Sequence, residues 1–204
     1  MKKFIRLCGV TLILGGIFFV ITNSVLTPLI NYDDPISDVA RSSVFIYRMT
    51  AAAIAVGFLL FGSMGLFLFQ IKNMDVFGFL SFIVVFFGNA FTLANEWYQI
   101  FVIPDLATID SEALISLDKT AGFSLYNIGT MVALFTFTIG WILFCISMLR
   151  IGKIARLAPI MILTGLVGIP LVSLISTPAW GGTIGTAIMG IAFVLLGRDL
   201  FTSQ

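Results

Sequence analysis

Histidine is absent from this chain, and cysteine appears only twice, as Cys8 and Cys145. The first absence removes the commonest metal ligand, the usual haem ligand and the commonest general base. It therefore excludes His-Glu-x-x-His zinc chemistry, a serine–histidine dyad and a histidine phosphatase. The second leaves no Cys-x-x-Cys pair for thiol–disulfide exchange. Charge is scarce too: Asp, Glu, Lys and Arg together make up 10% of the residues, against 59% apolar, where a soluble domain carries roughly 25% charged residues. No basic run suggests nucleic acid, and no Gly-rich phosphate loop follows a strand. The sequence implies no cofactor and no enzyme.

What is present is apolar sequence in long runs. Five stretches lack any charged residue: Leu7 to Ile30, Met49 to Ile71, Val76 to Asn95, Thr120 to Leu149 and Leu157 to Gly197. A hydrocarbon core of ~30 Å needs about 20 apolar residues per helix, so the first four runs read as one span each. The last would make a helix of roughly 62 Å, about two membrane thicknesses. Its middle, Thr177-Pro178-Ala179-Trp180-Gly181-Gly182, reads as a turn. The expected fold is all-α, a single polytopic membrane domain of six transmembrane helices over about 7–30, 44–71, 76–103, 120–149, 156–176 and 182–199. The first run is too long for a signal h-region and reads as an uncleaved helix.

Six spans put the N-terminus, the second and fourth connections and the C-terminus on one side. That side holds Lys2, Lys3, Arg6, Lys72, Arg150, Lys153, Arg156 and Arg198, while the other holds Asp33, Asp34, Asp38, Asp105, Asp110, Glu112 and Asp118 against Arg41 and Lys119. The positive-inside rule makes the basic side cytoplasmic. The expected location is a cell inner membrane, multi-pass, with both termini cytoplasmic. Both cysteines then lie near cytoplasmic span ends, where disulfides rarely persist, and read as packing residues.

Sliding the chain by 150 positions lays Lys3, Arg6, Leu7, Gly15, Thr27 and Pro28 on Lys153, Arg156, Leu157, Gly165, Thr177 and Pro178. That pattern suits a parallel repeat of helices 1 and 5, although topology alone also places basic residues at both inner ends. Small-xxx-small spacings, Ala51 with Ala55, Ala53 with Gly57 and Gly181 with Gly185, predict close helix packing. In the outer loop, Asp110-Ser111-Glu112 ahead of Ala113 to Leu117 predicts either a short surface helix or a solvated acidic connector. Asp33, Asp34 and Asp38 offer oxygen donors for calcium but lack an EF-hand spacing, and no metal site is assigned.

Only two charged residues fall within spans, Arg48 and Glu96. Charge there is costly and functional by default. Counted from the inner turn, they stand roughly 36 and 32 Å up their helices, so the spacing predicts a bidentate ion pair between neighbouring spans. Asn89, Thr92, Glu96 and Gln99 recur at helical spacing on one face. Asn23, Ser24 and Thr27, Tyr47, and Tyr126, Asn127 and Thr130 stand at comparable heights on other spans. Two readings follow. In one, these groups satisfy one another as interhelical glue while Trp97, Tyr98 and Trp180 form an aromatic belt. In the other, Arg48, Glu96, Asn89, Thr92, Gln99, Asn127 and Asn23 line an outer-half pocket.

The segments Gly88-Asn89-Ala90, Asn95-Glu96-Trp97-Tyr98-Gln99-Ile100-Phe101-Val102-Ile103-Pro104 and Gly140-Trp141-Ile142-Leu143-Phe144, with Leu149-Arg150-Ile151-Gly152-Lys153 and Arg156, resemble uncharacterised small multi-pass bacterial membrane proteins. The resemblance implies a helical membrane bundle and transfers no activity. The expected function is to bind or move a small polar or amphiphilic ligand through the pocket, with membrane lipids as surroundings. The alternative is a non-catalytic interaction or assembly subunit.

Overall fold

The computed structural model describes residues 1–31, 33–119, 124–175 and 178–202, and excludes the side chains of 117–119, 172–175 and 178–181. Its elements are helices: α1 Lys2–Val20, α2 Ile36–Arg41, α3 Ser43–Gln70, α4 Val76–Phe101, α5 Ile103–Ile109, α6 Ser111–Lys119, α7 Leu125–Ile151, α8 Leu157–Ile175 and α9 Pro178–Thr202. No strand occurs among the described residues. Five segments are long and apolar enough to cross a membrane, Lys2–Leu29, Ser43–Asn73, Val76–Ile109, Leu125–Ile151 and Gly182–Thr202. In addition, α8 is a shorter apolar helix.

Local sequence sets the helix ends. The Ser42 hydroxyl accepts from Phe45 N–H at 3.2 Å to start α3, Asp75 Oδ1 accepts from Gly78 N–H at 2.8 Å to start α4, and Ser124 Oγ accepts from Asn127 N–H to start α7. Such caps satisfy amides that have no partner inside the helix. Gly152, at φ 69°, ends α7 in the left-handed region that glycine adopts without strain. Pro178 opens α9 four residues ahead of the expected 182, because proline suits a first helical turn that needs no N–H. The turn expected at Thr177 to Gly182 is therefore largely helix; Thr177 itself lies outside the described residues, as do the side chains of Pro178, Ala179 and Trp180.

The long helices close into a ring in the order α1, α3, α4, α7, α8, α9 and back to α1. Helices in lipid gain nothing from hiding apolar surface from one another, so close backbone approach has to hold them. Glycine supplies it. A Cβ on Gly16 would come within 2.4 Å of the Gly190 carbonyl, and one on Gly197 within 2.5 Å of the Gly9 carbonyl, so α1 and α9 run antiparallel in backbone contact. Gly88 lies against the Phe137 backbone and Gly140 against that of Val85, which joins α4 to α7 in the same way. Gly165 and Gly185 join α8 to α9. The expected Gly57 contact does not form: nothing stands within 4 Å of its Cβ position. In its place Gly62 receives Leu12 and Gly65 receives Cys8. Both cysteines are buried.

The ring centre is filled by aromatic and aliphatic side chains. Trp141, Phe144 and Phe193 are fully buried, and Trp141 packs on Phe193 at 4.7 Å. One end of the ring gathers the N-terminus, Lys72, Asp75 and Arg150. There the Arg150 guanidinium reaches Asp75 at 2.9 Å and lies over the Phe77 ring. Both partners of this ion pair are more than half exposed, so it contributes little. We expect Asp75→Ala to destabilise by about 1 kcal/mol through the lost cap and Arg150→Ala by distinctly less, as read from thermal unfolding in detergent.

The opposite end carries a helical cap. The acidic connector is two helices, α5 and α6, broken where the Asp110 carboxylate accepts the Ala113 N–H to start α6. They pack with α2 around Ile30, Val39, Ala40, Phe45, Met49, Ile103, Ala107 and Leu114. The Arg41 guanidinium donates to the Ala107 carbonyl and ties α2 to α5.

Candidate functional site

Between the cap and the aromatic centre lies a cavity of about 330 Å³ to which all six ring helices contribute. The register along each helix places it. On α3, Phe45 and Met49 belong to the cap, Arg48, Ala52 and Val56 line the cavity, and Leu59 lies in the core. On α7 the same order runs from Tyr126 through Thr130 and Ala133 to Trp141. The floor is aromatic: Phe19 and Phe137 line the cavity, with Phe193 and Trp141 directly behind them. The base of the cavity is therefore apolar.

Arg48 and Glu96 both line it and form an ion pair, Nη1 to Oε2, at 3.6 Å. The contact is a single approach, longer than a hydrogen bond, rather than the bidentate pair the spacing suggests. Arg48 Nε–H donates to Thr27 Oγ1 at 3.4 Å, and Nη1, the nitrogen that approaches Glu96, also donates to Met49 Sδ at 2.9 Å, which holds the guanidinium away from a parallel fork. Glu96 Oε2 is buried without a hydrogen-bond donor. The Thr22 hydroxyl is likewise buried without a partner, and Thr22 is 1% exposed. Two residues of the cavity lining thus hold a buried polar atom with hydrogen-bonding capacity unspent, where each unmet bond costs about 1–3 kcal/mol.

Of the residues singled out from sequence, Asn23, Arg48, Thr92, Glu96, Gln99 and Thr130 line the cavity together. Asn89 does not. It is fully buried one turn deeper, donating to the Val85 carbonyl and accepting from Trp141 Nε1–H at 3.4 Å. Asn127 stands in the first turn of α7, outside the lining. Tyr47 is 66% exposed on the outside of the ring. Trp97 is also exposed and packs on Phe101, while Tyr98 packs against the cap cluster.

Four polar lining residues escaped the sequence reading, Thr22, Asn95, Thr138 and Thr186. Thr22 is carried in by a π-helical stretch, Ile21–Leu26, that continues α1, and the Thr27 hydroxyl closes on the Thr22 carbonyl. Pro28 is the signal that could have revealed it, since it has no N–H for the carbonyl four residues back. Asn95 lies beside Glu96 but off the expected stripe, and its Oδ1 accepts from Thr130 Oγ1 at 3.0 Å. Thr186 enters from α9, its hydroxyl returned to the Gly182 carbonyl.

Among the described residues no group of three or more Cys, Asp or Glu side chains converges as metal ligands would. Comparison with protein-family models, with curated proteins and with solved structures gives no match. The chemistry of the cavity has to be argued from its own geometry.

Proposed function

We propose that this protein spans a cell inner membrane six times, with α8 as the sixth span and both termini cytoplasmic, and that it binds or moves a small polar or amphiphilic ligand through the cavity without catalysing a reaction on it. The cap then faces outward and the cavity occupies the outer half of the bilayer. One observation carries the reading. Polar side chains from several helices meet around an open volume that their mutual contacts do not fill, and the Glu96 carboxylate keeps an oxygen without a hydrogen-bond donor beside its counter-ion. Glue alone has no use for the space. The volume lies within the ~300–1,000 Å³ range of ligand pockets, and a mainly apolar wall with a few polar groups is their usual make-up. The basic residues gathered at the end opposite the cap support the orientation.

The rival reading, a non-catalytic interaction or assembly subunit, draws on the fact that Asn23, Thr92 and Thr186 each bond back to a carbonyl of their own helix. The two part in one experiment. Small molecules and lipids co-purifying with the wild-type protein are identified by mass spectrometry and compared with the Arg48→Gln, Glu96→Gln double variant. A species held by the wild type and missing from the folded variant is the expected result; identical profiles would favour the assembly subunit.

A further inference from the structure

A second hollow lies on the outside of the ring, in the cap-end half of the seam between α4 and α7. It is a groove of about 530 Å³ walled by Phe91, Ala94, Tyr98, Tyr126, Gly129 and Val132 among others. The two helices are locked in backbone contact further down, at Gly88 with Phe137 and at Gly140 with Val85. At Gly129 that contact has ended, and its Cβ position meets nothing within 4 Å. Asn95 and Thr130 line both the groove and the internal cavity. Their one side-chain hydrogen bond, at 3.0 Å, bridges α4 and α7 on the boundary between the two hollows.

We infer that this groove is a side entrance from the bilayer, and that the ligand is a lipid whose chain occupies the groove while its headgroup passes the Asn95–Thr130 bond to reach Arg48 and Glu96. The inference rests on the ligand-binding reading of the cavity and supplies its ligand class and route. The apolar cap cluster lies toward one end of the cavity and the aromatic group of Phe19, Phe137, Trp141 and Phe193 toward the other. A lipid suits both compartments. Apart from Asn95, Thr130 and two tyrosines the groove wall is apolar and faces outward from helices of membrane-spanning length. The cavity presents one cation and one anion, so it matches a headgroup without net charge that carries both signs. The Glu96 carboxylate only accepts, so the part of the headgroup that meets it has to donate hydrogen bonds. A primary ammonium does this; a trimethylated one cannot. The ligand class is accordingly an aminophospholipid of the outer leaflet.

The test uses the full chain in mixed-lipid nanodiscs, with retention of phosphatidylethanolamine and of phosphatidylcholine bearing the same acyl chains measured by native mass spectrometry. Wild type is expected to retain the ethanolamine lipid at least about tenfold better, the worth of one hydrogen bond to a charged acceptor. Gly129→Trp, whose side chain fills the groove from an open position, is expected to abolish that preference at unchanged melting temperature. Gly129→Leu serves the same purpose should the tryptophan variant not fold. Thr130→Val, which removes the boundary bond, is expected to speed exchange of the bound lipid. Equal retention of the two lipids would overturn the headgroup assignment, and undiminished preference in both folded Gly129 variants would overturn the route. A water-soluble species lost from the Arg48→Gln, Glu96→Gln variant but kept by Gly129→Trp would overturn this inference while sparing the cavity as a binding site. No retained species of any kind would end both.

Discussion

Gly16→Val is expected to be among the most damaging single substitutions in this protein, at about 3 kcal/mol or more. The Gly16 Cβ position lies 2.4 Å from a backbone carbonyl of α9, and 3.0 Å from both the Val194 amide and its side chain. A backbone cannot rotate aside as a side chain can, so the two helices must part along their length. In water the exposed surfaces would still be pressed together; in lipid nothing replaces the contact, since the acyl chains are as apolar as the helix faces. The control is Gly57→Ala. That glycine has open space at its Cβ position, and alanine there should raise stability by up to about 1 kcal/mol through helix propensity alone. Unfolding of both variants in mixed micelles, titrated with a denaturing detergent, checks the pair; equal stability of Gly16→Val and wild type would mean that α1 and α9 do not meet as described.

The second large effect concerns the ion pair. Arg48→Gln and Glu96→Gln should each destabilise by about 3 kcal/mol, because each leaves a charge in a mostly buried site without its partner. Side-chain exposures of 19% and 12% leave little solvent to compensate. The double variant should cost less than the sum of the two by ~1–3 kcal/mol, the interaction being missing from both singles. A Glu96→Gln variant as stable as wild type, both alone and on the Arg48→Gln background, would show that the 3.6 Å approach carries no energy. Stability and ligand retention are separable here. Thr92 and Gln99 line the cavity, and the Thr92 hydroxyl bonds to the Gly88 carbonyl rather than to the ion pair, so Gln99→Leu should change what is bound far more than how well the protein folds.

The sequence shows its helices through missing charge. Any uncharged run of twenty residues has few other fates in a bilayer, and Ser42, Asp75, Ser124 and Gly152 are local devices that set ends wherever they occur. The shared depth of Arg48 and Glu96 was legible for the same reason: the tight connection at residues 71–75 makes α3 and α4 antiparallel neighbours, and counting along each gives the height. Rotation about the helix axis was not legible. A helix surrounded by lipid and by other helices is apolar on every side, so the 3.6-residue period that normally reveals an inner face is faint. Asn89 therefore looked like part of the cavity stripe, although its true partner is Trp141, a residue whose indole can be placed only once α7 is docked. The glycine pairs were hidden likewise. Small-residue spacing within one helix says that a close approach is available, and the approach at Gly9, Gly16, Gly190 and Gly197 needs two helices at opposite ends of the chain.

That pairing has a consequence for how the protein is made. The glycine face of α1 is synthesised well before the surface it fits, around Gly190 and Gly197, which follows only after α3, α4, α7 and α8. Helices delivered to the bilayer one after another would build an open arc in which α1 waits with one flank unmatched, and the ring would snap shut in a single late event. A ribosome stalled anywhere before residue 190 would leave a chain that is inserted but unclosed, its cavity gaping toward the lipid and its glycine backbone exposed along the open edge, a form that membrane proteases could tell from the finished protein by that edge alone.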